Sequence, residues 1–250
     1  MHLDVNELRT FYDGHLGQIA RRLIRQRLRE VWPSVRGQAV LGLGYATPYL
    51  RPFQSEAGRV IALMPAQQGV AHWPTGASNL TALTDESFLP LPDSSIDRVI
   101  VAHMLETSEA MRPFLRQIWR VLTPSGRLVV IAPNRTSLWA QFETTPFGHG
   151  TPFSRSQLSR LLSDAMFSPT AATTCLHMPP FGSQYLLRTG ARWESWGQKI
   201  WPQLAGVHLA EATKEVMALA PDRGLRQRVL AKTVLVPRGA ASAGRSRPRP

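Results

Sequence analysis

Cysteine is nearly missing from this 250-residue sequence, which contains only Cys175. A single thiol excludes an intramolecular disulfide and any cluster of cysteine ligands around a metal ion. We expect Cys175 to be a buried structural thiol, with a nucleophilic role as the alternative, and we predict no metal site.

Long apolar runs are also missing. No stretch approaches the roughly 18 to 20 uninterrupted apolar residues that a membrane helix needs. The first ten residues lack the basic and then apolar pattern of a signal peptide. We therefore expect a soluble, cytoplasmic protein without a membrane partner.

Acidic residues are scarce. The sequence has 17 of them and 29 lysines and arginines, which gives a net charge of +12. Much of the excess lies between Pro221 and Pro250, where eight basic residues face the single acid Asp222, a net charge of +7. From Gly239 onward no aromatic or branched apolar residue could anchor the chain. These features predict a solvated basic tail over 221–250, with nucleic-acid binding as the alternative.

The remaining residues, 1–220, are enough for one buried α/β core, given a hydrophobic content of 43%. Apolar residues recur at helical spacing between Leu16 and Val31 and predict an amphipathic helix within an N-terminal helical region, 6–31. Four arginines fall on its opposite face, namely Arg21, Arg22, Arg25 and Arg29.

Strands and helices alternate through the rest of this region. Strands are predicted at 39–43, 59–65, 79–84, 97–105, 127–134 and 171–177, and the helices at 111–122 and from Ser154, whose hydroxyl can cap it. TPSG, residues 123–126, reads as the turn that ends the first of these helices. A helical insertion is predicted at 179–204, and the alternation from Val207 favours a last strand over a helix. Helix, turn and strand in this order are typical of a parallel sheet.

Two glycines, Gly42 and Gly44, stand where the first strand meets its loop. In open α/β sheets, ligands bind outside the carboxyl ends of the strands, and glycine lets the backbone approach them closely. We therefore interpret both glycines as candidate ligand-binding residues.

Two neighbouring segments carry a family resemblance. TDESFLPLPDSSIDRVIVAHMLETSE begins at Thr84, and RPFLRQIWRVLTPSGRLVVIAPNR begins at Arg112. Together they resemble the S-adenosylmethionine (SAM) dependent methyltransferases of class I, in the subgroup related to the ubiquinone and biotin-pathway enzymes. The resemblance extends over roughly residues 38–168. It implies a Rossmann-like α/β fold, a mostly parallel seven-stranded sheet with helices on both faces, and SAM as the cofactor.

The resemblance also implies site residues. Asp85, with Glu86 beside it, matches the acid that accepts a hydrogen bond from the adenine amino group, while a helix or turn cap is the alternative. His103, Met104 and Leu105 match the loop under the methionine part of SAM. The hypothesis for Tyr45 is that it covers the amino acid part of the cofactor, with Tyr12 and the first helix closing the site, although ordinary packing is the alternative. The catalytic residues are not identified.

The sequence departs from the family pattern at two positions. Val40 and Met64 occur where relatives carry acids, in the first strand and at the end of the second. Met64 therefore occupies the position of the ribose-binding acid. Losing such a charge-assisted contact costs about 1.5 to 3 kcal/mol, so SAM binding is expected to be weakened, altered or lost.

Three functions remain open. The first is a SAM-dependent methyltransferase with an unidentified small or macromolecular acceptor. The second is a non-catalytic relative that binds or regulates a partner protein, and the third is RNA binding or RNA modification. Aromatic residues that are candidates for a pocket or a partner surface, or for ordinary packing, are Trp139, Phe142, Phe147, Phe153, Trp193, Trp196 and Trp201.

Overall fold

The computed structural model describes residues 3–180 and 202–215. Its strands are β1 Ala39–Gly44, β2 Arg59–Pro65, β3 Thr81–Thr84, β4 Ile96–Ala102, β5 Leu122–Pro133, β6 Phe167–Cys175 and β7 Val207–Lys214. Its α-helices are α1 Val5–Asp13, α2 His15–Val31, α3 Thr47–Leu50, α4 Met111–Val121 and α5 Arg155–Asp164. Short 3₁₀ helices cover Arg51–Phe53, Leu138–Ala140, Pro146–Gly148 and Pro202–Leu204.

The strands form one seven-stranded sheet in the order β3-β2-β1-β4-β5-β7-β6. The first five strands pair in parallel, while β7 runs antiparallel to both β5 and β6. This is the predicted Rossmann-like architecture with a mostly parallel sheet. The carboxyl ends of β1 to β4 meet at one edge because these strands are parallel.

Both faces of the sheet are covered, as predicted. On β5, Val129 and Ile131 pack with α1 and α2, whereas Leu128 and Val130 pack with α4 and α5. This alternation follows from the period of two along a strand and explains the dense apolar sequence of a strand buried on both sides.

The helix starts follow their sequence signals. Asp4 and Glu7 form a capping box at α1, and Ser154 and Gln157 form another at α5. The cap predicted at Ser154 is therefore confirmed.

Several boundaries differ from the sequence prediction. β4 ends at Ala102 and not at Leu105, because His103 leaves the strand conformation with φ of 53°. TPSG is not a separate turn: it belongs to β5, in which Leu122 already pairs with Ile96. A register shift between Ile96 and Arg98 accommodates the extra residues. β6 begins at Phe167, before the predicted Ala171, because its pairing with Lys214 of β7 extends the ladder. β7 itself is a strand, as favoured.

The connection between β2 and β3, residues 66–80, contains no helix. Most of the predicted insertion, including Trp193, Trp196 and Trp201, lies outside the described residues, and so does the tail 221–250. Within 3–180 and 202–215, no helix is long and apolar enough to span a membrane. In the same ranges no three His, Cys, Asp or Glu side chains gather as a metal site.

Candidate functional site

The residues predicted to bind a cofactor belong to four parallel strands or to the loops that follow them. Tyr45 follows β1, Met64 lies near the end of β2, Asp85 and Glu86 follow β3, and His103 follows β4. The sheet therefore brings these residues to its carboxyl edge, where open α/β sheets bind ligands.

The two candidate glycines have different surroundings. Gly44 ends β1 with φ of 72°, and a Cβ there would lie 2.3 Å from the carbonyl oxygen of Ala102. Gly42 lies inside β1, and a Cβ there would lie 2.6 Å from Cδ1 of Leu50. Glycine is required at both positions, at Gly44 by the turn and the adjacent β4 backbone and at Gly42 by packing on α3. A substitution at Gly44 would disturb the fold as well as any ligand site.

A buried chain of polar side chains crosses this edge. The Tyr12 hydroxyl of α1 lies 2.5 Å from the Tyr49 hydroxyl of α3 and 2.7 Å from His103 Nε2. On the other side of the imidazole, His103 Nδ1 lies 3.4 Å from Glu106 Oε1. All four side chains are buried. The chain thus connects a carboxylate, an imidazole and two phenols away from solvent.

Burial keeps both phenols neutral. It raises the pKa of Tyr12 well above the ordinary value, and the nearby Tyr49 raises it further. Burial likewise raises the pKa of Tyr49. Each hydroxyl therefore keeps its proton at neutral pH and can both donate and accept a hydrogen bond.

Two further hydrogen bonds join the loops at the edge. Gln68 Nε2, after β2, donates to the His103 carbonyl oxygen at 3.0 Å. Ser108 Oγ, after β4, donates to Glu86 Oε2 at 2.6 Å. The loop after β4 is therefore held from β2 on one side and from β3 on the other.

Several polar atoms at this edge have no hydrogen-bond partner although they are buried. They are Gln68 Oε1, Glu86 Oε1, His103 Nδ1 and Glu106 Oε2. Buried polar atoms are normally paired, and exceptions in a cluster point to a missing polar ligand. Acceptors among them suit the amine and hydroxyl donors of SAM, so the residues present fit that cofactor.

The predicted site residues differ in exposure. Asp85 is exposed, and its carboxylate accepts hydrogen bonds from the backbone nitrogen and the hydroxyl of Ser87, which lower its pKa. Met64 is fully buried among the apolar residues under α1 and α2, and Leu105 is buried on the α4 side. Tyr45 is buried too, with its ring stacked on Tyr12 at 5.7 Å between centroids. Among the predicted residues, the carboxylate of Asp85 is thus the most accessible to a ligand.

Sequence reasoning missed Tyr49, Gln68 and Ser108, which complete the polar contacts at the edge. No spacing signal marks them, because each contact joins residues far apart in the chain. The described aromatic residues that were candidates for a partner surface are mostly core: Trp139, Phe147 and Phe153 are buried, and Phe142 is at the border of exposure.

Comparison with known proteins finds a family match over the strands that lead to this edge. Residues 40–130, which run from β1 into β5, match the family model described as "Methyltransferase domain". A Mycobacterium tuberculosis protein named "Probable S-adenosylmethionine-dependent methyltransferase" is 32% identical over 126 residues, which are 49% of this chain and 46% of that protein. The match therefore spans less than half the length of that relative.

Solved structures share the fold at low sequence identity. A SAM-dependent methyltransferase from Thermotoga maritima superposes with a TM-score of 0.59 at 17% identity, covering 84% of this chain and 96% of its own. A complex of a methyltransferase activator with a "putative methyltransferase" from Haloferax volcanii gives 0.58 at 16% identity, covering 84% and 98%. At such identities the similarity establishes the architecture.

Proposed function

We propose, on the premise that this chain belongs to the class I SAM-dependent methyltransferase superfamily, that it transfers a methyl group from SAM to an acceptor. The supporting observation is the position of the family match in the fold. The family match, residues 40–130, includes the strands β3 and β4, whose carboxyl ends carry Asp85, Glu86 and His103 beside buried polar atoms without hydrogen-bond partners.

The cofactor would lie along this edge, with Asp85 and Glu86 toward adenine and His103 toward the methionine part. Bound SAM supplies an already activated methyl group on its sulfonium, so the protein's task is chiefly to align the acceptor. Met64 offers no charge to the ribose, and Val40 is the second position at which relatives carry an acid. The exposed Asp85 carboxylate keeps oxygen lone pairs for the adenine amino group besides those it uses on Ser87.

The buried polar chain offers a route for the proton that a hydroxyl or amine acceptor loses. His103 Nε2 accepts from the Tyr12 hydroxyl when Nδ1 carries the proton and faces Glu106. When the Tyr12 hydroxyl passes its proton to Nε2, the Tyr12 oxygen takes the proton that the acceptor loses, so the phenol stays neutral and the imidazole gains the charge. Glu106 then stabilises the resulting positive charge, as a carboxylate behind a histidine does.

A second candidate function is that of a non-catalytic relative that binds a partner protein. It is favoured by Met64 in place of an acid and by the burial of the Tyr12, Tyr45 and His103 side chains. One structural neighbour is bound to an activator protein. Under this second candidate function, this chain would likewise bind a partner protein.

Isothermal titration of the full chain with SAM and with S-adenosylhomocysteine tests the proposal. We expect saturable binding of both, and about a tenfold loss of affinity in Asp85→Ala, since one charge-assisted hydrogen bond is worth roughly 1.5 kcal/mol or more. Asp164→Ala is the matched control, because this exposed carboxylate lies at the end of α5.

Equal affinities for the two variants would remove Asp85 from the site. Failure of the wild-type chain to bind either compound would overturn the methyltransferase proposal and favour the partner-binding alternative.

A further inference from the structure

A cleft rich in arginine adjoins the first strand–helix loop. It has a volume of about 290 Å³ and is lined by α1, α2, the turn at 45–48, the 3₁₀ helix at Arg51 and the segment 71–75. The segment 71–75 reaches the cleft as part of the β2–β3 connection, which has no helix. We call this space the arginine cleft.

Positive charge dominates its walls. Arg9, Arg21, Arg25 and Arg51 line the cleft, whereas Asp13 is its single acidic lining residue. The Asp13 carboxylate already forms an ion pair with Arg9, whose Nε lies 3.8 Å from Asp13 Oδ2. Within the described residues, no carboxylate forms an ion pair with Arg21, Arg25 or Arg51.

Arg29, on the same helix, is an arginine whose charge is compensated by a carboxylate. Its guanidinium is paired with Glu56, donates to the Pro52 carbonyl oxygen and lies over the Phe53 ring. One helical turn earlier, Arg25 has no such carboxylate and its Nε donates to the Pro48 carbonyl oxygen at 2.5 Å. On the arginine face of α2, Arg29 therefore makes a structural contact, whereas Arg21 and Arg25 line the cleft.

The crowding of like charges in the cleft is visible in Arg25. Burial, together with the nearby charges of Arg21 and Arg51, lowers its pKa to about 10. Binding of an anion in the cleft would reduce the repulsion among these positive charges.

Buried and partly buried side chains also line the cleft. Tyr45 and Thr47 are buried at its base, and the partly buried Trp73 packs against the core beside it. A recess of this size suits a small molecule, while guanidinium groups match phosphate and carboxylate oxygens in pairs. A polymer backbone needs an extended surface instead.

We propose that the arginine cleft binds the anionic group, phosphate or carboxylate, of a small acceptor molecule. This assignment to the acceptor rests on the proposed methyltransferase function. The binding of an oxyanion in the cleft is independent of that function.

Titration of the full chain with inorganic pyrophosphate, and separately with citrate, tests the proposal and shows which anion class is preferred. We expect saturable binding, weakened about tenfold or more in Arg21→Gln/Arg51→Gln, since charge-assisted contacts are lost. Arg22→Gln/Arg36→Gln removes the same charge at exposed positions that do not line the cleft and should bind like the wild type.

Equal weakening in the two double variants would overturn the proposal, because it would reveal general charge attraction. Absence of saturable anion binding in the wild type would do the same. Circular dichroism compares the folds, and the single variant Arg51→Gln provides the same test if the double variant unfolds.

S-adenosylhomocysteine titration separates this inference from the proposed function. Unchanged affinity in Arg21→Gln/Arg51→Gln assigns the cleft to the acceptor. A parallel loss would overturn that assignment and give the cleft to the cofactor's own carboxylate. Anion binding without any S-adenosylhomocysteine binding would leave the cleft as an anion site and overturn only the methyltransferase function.

Discussion

At the scale of single residues, Tyr12 connects more of the site than any residue that a motif identifies. Its hydroxyl contacts Tyr49 and His103, and its ring stacks on Tyr45. Since all these groups are buried, none of them can replace a lost hydrogen bond with one to bulk water. Tyr12 therefore joins α1 to the loops after β1 and β4.

Tyr12→Phe is expected to lower the free energy of unfolding by about 1 to 3 kcal/mol, because it leaves two buried polar partners unpaired. Chemical denaturation at neutral pH measures the loss. Tyr45→Phe is the control, because Tyr45 lines the arginine cleft and its hydroxyl has one hydrogen-bond partner, Thr47, against two for Tyr12, so it should cost clearly less. A similar cost for both variants would show that Tyr12 stabilises the protein through its ring alone.

At the scale of elements, capping determines where the helix α5 begins. The Ser154 hydroxyl accepts a hydrogen bond from the Gln157 backbone nitrogen, and the Ser154 backbone nitrogen donates one to Gln157 Oε1. Behind this cap, Leu158 and Leu162 are buried against the sheet. The element is thus determined by a local signal at its start and by tertiary packing along its length.

Ser154→Ala should destabilise the protein by about 1 kcal/mol, the usual effect of losing an N-cap. Ser163→Ala, an exposed position in the same helix, should have no such effect, since alanine favours the helix interior. Thermal unfolding of the two variants gives the comparison. A Ser154→Ala protein as stable as the Ser163→Ala protein would show that packing alone holds the start of α5.

At the scale of the whole molecule, His208 on β7 links stability to pH. Burial, together with the nearby charge of Arg155, lowers its pKa from 6.5 to about 4. The unfolded chain therefore binds a proton between these pH values while the folded chain does not. Stability is complete above pH 6.5 and falls as the pH decreases toward 4.

The loss assigned to His208 is about 3 kcal/mol across this window, at 1.36 kcal/mol per unit of pKa. Urea unfolding of the wild type and of His208→Gln between pH 7 and roughly pH 4 measures it. Acidic groups titrate in both proteins, so the difference between the two profiles isolates His208. Parallel profiles would contradict the assignment.

The sequence by itself determined the order of the elements and the class of the fold. Alternating strands and helices and the cap at Ser154 are local signals, and both have the predicted structure. The strand boundaries at Leu122 and Phe167 were not predictable in this way, because pairing with strands distant in sequence extends both elements.

Only the tertiary structure decided how the site is composed. Tyr12, Tyr49, Gln68 and His103 meet because three strand ends and two helices converge, and their separations in sequence carry no period. The arginines of α2 look alike in the sequence. The fold pairs Arg29 with Glu56 and leaves Arg21 and Arg25 facing a cleft, since a neighbour's charge depends on packing in space and not on helical spacing.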